Sequence, residues 1–126
     1  MKASIIGVVA VGGAIGSVIR YMVSTIQNPM VAFPYAIFFV NLSGGFLMGV
    51  VVALLGVKFS VSTEVRAFLT TGILGGYTTF STFSLESATL IQRHDYVTAC
   101  AYVVGSAILS IVALFFGMWL VRAIYA

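Results

Sequence analysis

The sequence predicts an all-α integral membrane protein, a single domain over residues 1–126 that crosses the bilayer as four helices. Composition, run length and the absence of strand periodicity predict it. Residues are 61% hydrophobic and 7% charged, with a mean hydropathy of +1.16; a soluble domain carries roughly 25% charged residues. So few charges cannot coat a water-facing surface. The apolar residues fall into four runs, 3–26, 34–57, 63–92 and 96–125, each long enough for the roughly 20 residues of a spanning helix. No run alternates with period two, each is about twice a barrel strand in length, and lipid makes each backbone satisfy its own hydrogen bonds. Helices follow. The length allows four or at most five crossings, so no nucleotide-binding, redox or catalytic module fits beside them.

The first run begins after Lys2 and imitates a secretory signal. No small-x-small cleavage site or polar mature region follows it, so it reads as the first membrane helix. It holds Gly12-xxx-Gly16, a close-approach pattern for helix contacts. Arg20 lies deep in the same run. Either it snorkels to the interface or it holds a positive potential over a water-filled mouth, which favours an anion. Gln27-Asn28-Pro29 through Pro34, with both prolines of the chain, form the first connection.

The second run carries Gly45-xxx-Gly49 and places Asn41 between Phe38-Phe39-Val40 and Leu42. An amide in lipid is costly unless hydrogen-bonded. Asn41 therefore ties two helices together or lines a pathway.

Lys58 to Ser62 lead into the third run, which is too long. As one helix, residues 63–92 would extend about 45 Å against a hydrocarbon core of about 30 Å. Gly75-Gly76-Tyr77-Thr78-Thr79 sits in its middle. One reading is a tilted helix with a small-residue packing face. The other is an unwound break over 75–79 whose freed carbonyls face protein, water or an ion. The densest polar stretch, Thr78 to Glu86, follows. On a helical wheel Phe80, Phe83, Ser84 and Ser87 share one face, with Thr79, Thr82 and Glu86 nearly opposite; that is no lipid-facing helix.

Arg93-His94-Asp95 separate the third run from the fourth, where Tyr102, Ser106 and Ser110 fall at i, i+4 and i+8. This hydroxyl ladder lines a path, or its serines bond back to their own helix. Cys100 stands alone, which excludes an internal disulfide or a CxxC site, and its apolar surroundings predict a buried inert thiol. Lys2, Lys58, Arg66 and Arg122 lie toward one side of the membrane, Arg93 and by position Arg20 toward the other. The bias is weak and permits insertion both ways; it thereby permits an antiparallel homodimer without demanding one. Scattered basic residues exclude a nucleic-acid patch. His94-Asp95 lacks a partnered nucleophile or metal cluster, which excludes an enzyme.

Hydroxyls, an amide and an arginine all donate hydrogen bonds, while acids near mid-membrane are almost missing. Phenylalanine edges carry partial positive charge. A cation path would display carboxylates or carbonyl rings. The residues therefore point to an anion-conducting pore.

Gly75-Gly76-Tyr77-Thr78-Thr79-Phe80-Ser81-Thr82-Phe83-Ser84 resembles the signature of the small bacterial fluoride channels, the Fluc or CrcB family. Gly13-Ala14-Ile15-Gly16-Ser17-Val18-Ile19-Arg20-Tyr21 and Asn41-Leu42-Ser43-Gly44-Gly45 match its other two motifs, so the resemblance covers essentially the whole chain. It implies a fluoride-selective channel of the bacterial inner membrane that passively exports cytoplasmic fluoride. It further implies an antiparallel dual-topology homodimer with two pores. By the same resemblance Phe80 and Phe83 are pore rings, and Asn41, Ser81, Thr82, Tyr102, Ser106 and Ser110 line the fluoride path. Arg20 belongs to a vestibule. The backbone carbonyls of Gly75 and Thr78, two from each subunit, hold a structural Na+ at the dimer centre. Glu86 matches a carboxylic position without an assigned role.

Two other classes compete. A proton-coupled exporter of the small multidrug-resistance type also uses four short helices, but it needs an embedded carboxylate in the first helix, where this chain has Arg20. A non-transporting assembly subunit would use its polar groups for helix contacts alone.

Overall fold

The computed structural model describes residues 2–125, and those residues fold as helices without a strand. Helix α1 spans Ala3–Ser24 and α2 spans Tyr35–Val57. The third segment is composite: α3 (Thr63–Ala67), a π-helical stretch over Phe68–Leu74, α4 (Gly75–Tyr77) and α5 (Ser81–Gln92). The last helix, α6, covers Tyr96–Tyr125. Three helices (α1, α2 and α6) are each long and apolar enough to cross a membrane.

Side-chain contacts fix which ends lie together. The Lys58 ammonium sits 4.0 Å above the Tyr125 ring, so the second connection lies beside the end of α6. Phe33 packs on Leu90, Ala99 and Tyr102, which brings the first connection beside the third. The third segment therefore runs the length of the bundle, although no piece of it is long enough alone.

Local chemistry explains the boundaries. Gln27 staples the first connection: its Nε2 donates to the Val31 and Phe33 carbonyls at 3.3 and 3.1 Å, and its Oε1 accepts the Ala36 N–H at 3.1 Å. The Tyr35 hydroxyl donates to the Ile26 carbonyl at 2.8 Å and accepts the Asn28 N–H at 2.7 Å. Ser62 caps α3 by accepting the Val65 N–H, with Glu64 in its first turn and Arg66 in its last. His94 takes a positive φ of 60°, after which Asp95 Oδ1 accepts the Thr98 N–H at 3.2 Å to start α6.

Glycines set the packing. A Cβ on Gly12 would lie 2.8 Å from the Phe68 carbonyl, and one on Gly16 would collide with that of Ile73. Gly45 meets the Ser110 carbonyl at 2.6 Å by the same test, Gly49 collides with that of Leu114, and Gly117 with that of Phe46. Thus α1 lies on the third segment and α2 on α6, backbone against backbone, as the two GxxxG patterns predict.

Two expectations need correction. The Gly75-Gly76 pair does not itself depart from the helix: Gly75 has φ −65° and ψ −35°. Its neighbour Gly76 is small because α1 is close, with the Gly13 carbonyl 2.6 Å from a Cβ there. The departure comes later, at Thr78, with φ −75° and ψ 160°. Cys100, expected to be buried, is exposed on α6. Because α6 is apolar on every side, composition marks no inward face at that position.

Candidate functional site

Between α4 and α5 the chain is not helical at Thr78, and the hydrogen bonds around it are rerouted. In a continuous α-helix the Gly75 carbonyl would accept from the Thr79 N–H, and the Thr78 carbonyl from the Thr82 N–H. Here the Thr79 N–H donates to Asn41 Oδ1 at 2.9 Å, and the Thr82 N–H donates to Thr79 Oγ1 at 3.1 Å. Asn41 Nδ2 completes the exchange by donating to the Thr79 carbonyl at 3.0 Å. The amide of α2 thus pairs with a peptide unit as a second peptide would. Of its two Nδ2 protons one remains for the cavity it faces.

This rerouting leaves the Gly75 and Thr78 carbonyls without their helical donors. Hard carbonyl oxygens are the ligands that an alkali cation takes, so this pair fits a sodium ion. Gly75 is exposed and lines a cavity beside the interruption. Two carbonyls are too few for a full coordination shell, and a second copy could supply the rest. Among the described residues no group of three or more His, Cys, Asp or Glu could hold a metal.

A cavity of about 490 Å³ opens beside the interruption, lined by Asn41, Gly75, Thr78, Phe80, Phe83, Ser106 and Ser110 among others. Phe80 precedes α5 and is 79% exposed, whereas Ser87 on α5 is buried. The interruption precedes Phe80, whose backbone is already helical (φ −99°, ψ −32°) and whose carbonyl accepts the Ser84 N–H at 2.8 Å. The wheel therefore holds from Phe80 onward, and the two differ in exposure by their place along α5. The Phe80 and Phe83 rings remain 5.5 Å apart. Phe83 lies 5.2 Å from the Tyr102 ring, and Tyr102 meets Phe33 edge-on at 5.6 Å.

The hydroxyls divide into two kinds. On α5, Ser84, Ser87 and Thr89 donate to the carbonyls of Phe80, Phe83 and Leu85 at 2.7–2.8 Å. These protons are consumed within the helix. On α6, Ser106 Oγ and Ser110 Oγ are buried and have no hydrogen-bond partner. Back-bonding, an open alternative for the α6 ladder, describes α5 instead. A buried hydroxyl without a partner costs free energy, and both of these line the larger cavity.

Other sequence-predicted residues sit elsewhere. Tyr102 is fully buried and its hydroxyl donates to Glu86 Oε2 at 2.6 Å; it contributes to the larger cavity only through Phe83, which its ring supports. Ser81 is exposed, 3.4 Å from Thr79 Oγ1. Thr82 lines a second cavity of about 230 Å³ together with Arg20, Ser17, Tyr21 and Ser24. Arg20 Nε is buried there without a partner. An unpaired guanidinium in a cleft with low-dielectric walls raises the local concentration of anions. The Glu86–Tyr102 pair was not foreseen: sixteen residues separate them, and only the fold brings α5 and α6 together there.

Comparisons with known proteins match nearly the whole chain. The family profile described as "CrcB-like protein, Camphor Resistance (CrcB)" matches residues 7–118. A "Fluoride-specific ion channel FluC" of Rhodopseudomonas palustris (strain BisB5) is 47% identical over 118 residues, covering 92% of this chain and 95% of that protein. One from Nitrobacter winogradskyi is 44% identical over 126 residues, covering 98% of this chain and 100% of that protein. One from Chelativorans sp. (strain BNC1) is 48% identical over 118 residues, covering 92% and 94% respectively.

Proposed function

The chain belongs to the CrcB family, and from that premise we propose that it is a fluoride-specific ion channel, a multi-pass protein of the bacterial inner membrane and not an enzyme. Fluoride leaves the cytoplasm passively, down its electrochemical gradient. The observation that carries this reading is the pair of buried, unpartnered hydroxyls, Ser106 and Ser110, in one cavity with Phe80 and Phe83. Fluoride is small and strongly hydrated, so crossing lipid requires donors that replace water in sequence without trapping the ion. Ser106, Ser110 and the free Asn41 N–H supply such donors. Phenylalanine edges at Phe80 and Phe83 add partial positive charge where water is excluded.

Ser81 and Thr82 extend the path beyond the rings, toward the Arg20 cavity, whose positive potential draws the anion in. Tyr102 serves the path by holding Phe83. The working unit is an antiparallel, dual-topology homodimer with two pores. Supporting this, Gly75 and the 79% exposed Phe80 line one cavity and are both exposed in the single chain. A weak charge bias across the membrane permits both insertions. At the dimer centre the Gly75 and Thr78 carbonyls of both copies hold a structural Na+, which offsets the cost of opposed carbonyls in apolar surroundings.

Liposomes loaded with potassium fluoride test the function. With the purified protein and a potassium ionophore present, fluoride appears outside, and chloride does not follow in a parallel trace. No fluoride efflux, or equal chloride efflux, would overturn the reading. A proton-coupled multidrug exporter is not favoured, because α1 carries Arg20 and no Asp or Glu.

A further inference from the structure

We propose that Tyr77 and Ser43 form a latch that sets the position of the Gly75 and Thr78 carbonyls, so that both are positioning residues for the bound sodium ion. The proposal rests on reading those carbonyls as sodium ligands.

Tyr77 is the last residue of α4 and is buried. Its hydroxyl lies 2.9 Å from Ser43 Oγ on α2. Ser43 Oγ is also 2.7 Å from the Phe39 carbonyl and 3.2 Å from that of Val40. A serine has one proton, and those carbonyls only accept. Ser43 therefore donates to its own helix, and the Tyr77 hydroxyl must donate to Ser43. The chain of donors runs one way, from α4 into the backbone of α2.

The latch has a counterpart on the other side of Thr78. Asn41 holds Thr79 by two hydrogen bonds, and Ser43 holds Tyr77. Gly44, next in sequence, leaves room for Thr78 itself: a Cβ at Gly44 would collide with the Thr78 methyl and lie 3.3 Å from the Tyr77 ring. One turn of α2 thus grips three consecutive residues of the third segment. The need for such a grip is local. Helix α4 has three residues, two of them glycines with wide conformational freedom. Thr78 Oγ1 is spent on the Leu74 carbonyl, so it anchors nothing across the helices. Without Ser43, the tip of α4 is held to α2 only by packing, and its carbonyl directions are less well defined. A cation held by a few carbonyls is sensitive to such directions.

The test is the release of radioactive sodium from the purified full-length protein, preloaded in detergent and diluted into sodium-free buffer. Wild-type protein retains the ion. Tyr77→Phe keeps the ring and removes the hydroxyl, and release is expected to accelerate about fivefold, the scale of one neutral hydrogen bond. Ser43→Ala is expected to do the same, and the double variant to add nothing further, since both changes remove one bond. Fluoride flux at saturating sodium stays within about twofold of wild type, while the sodium concentration giving half-maximal flux rises about fivefold. A purely structural role would lower the flux plateau and leave sodium release unmoved. Release identical to wild type in both single variants overturns the latch. Multiplying effects in the double variant overturn it as well. If wild-type protein retains no sodium, the sodium reading fails first and takes the latch with it; that outcome is distinguished by the wild-type trace alone.

Discussion

Helices α5 and α6 both carry a run of hydroxyls, and they use them oppositely. On α5 the protons of Ser84, Ser87 and Thr89 go to the carbonyl four residues back. On α6 Ser106 and Ser110 face the cavity with no partner. At Ser84, Ser87 and Thr89 this arrangement makes a polar-looking stretch of α5 inert, since each of these three hydroxyls is satisfied before any ion arrives. The α6 arrangement leaves hydrogen-bonding capacity buried and unused, at a cost that a bound hydrogen-bond acceptor removes. Residue type is the same in both; availability is what separates a structural hydroxyl from one that can meet an anion.

The comparison can be broken at its scaffold. Ser110 stands where α2 and α6 touch, its carbonyl 2.6 Å from any Cβ placed on Gly45. Gly45→Val therefore forces α6 away and moves the cavity wall. Stability is expected to fall by about 3 kcal/mol, the upper range for overpacking, read as a lower melting temperature in detergent, and fluoride flux is expected to vanish with it. A melting temperature equal to wild type would mean that the helices do not meet there.

A sharper cut removes a ring and leaves the hydroxyls. Phe80→Ile is expected to lower fluoride flux about a hundredfold, the scale for losing one stabilising group from a dehydrated anion site, with the dimer intact by size-exclusion chromatography. The smallest effect belongs to α5. Ser84→Ala and Thr89→Ala are expected to leave flux within about twofold of wild type and to change stability by a few tenths of a kcal/mol at most. Loss of flux in either would show that the back-bonded hydroxyls leave their carbonyls to serve the ion.

The helical plan was legible because lipid leaves few alternatives. Hydropathy placed four runs whose ends agree with the helices to within two residues at each boundary, and the GxxxG patterns named the faces that pack. Less could be read where two segments meet. The sequence places Asn41 in a membrane helix, yet its partner is the backbone of Thr79, thirty-eight residues away. Gly75-Gly76 reads as a helix breaker by propensity, but both residues stay helical, and at Gly76 the close approach of α1 leaves no room for a Cβ. Nor does spacing say which serines bond back: Ser87 and Ser106 both have a carbonyl available at i−4, and the rotamer each adopts depends on what packs beside it. Cys100 shows the same limit, because a helix apolar all round does not announce its inward side.

The most direct test is fluoride efflux from vesicles holding Ser106→Ala/Ser110→Ala, run beside Ser84→Ala/Thr89→Ala at matched protein density. The account predicts a fall of about tenfold or more for the α6 pair, as expected for lost hydrogen bonds to a charged partner, and near wild-type flux for the α5 pair. Equal flux from the two, or the larger loss on α5, would contradict it.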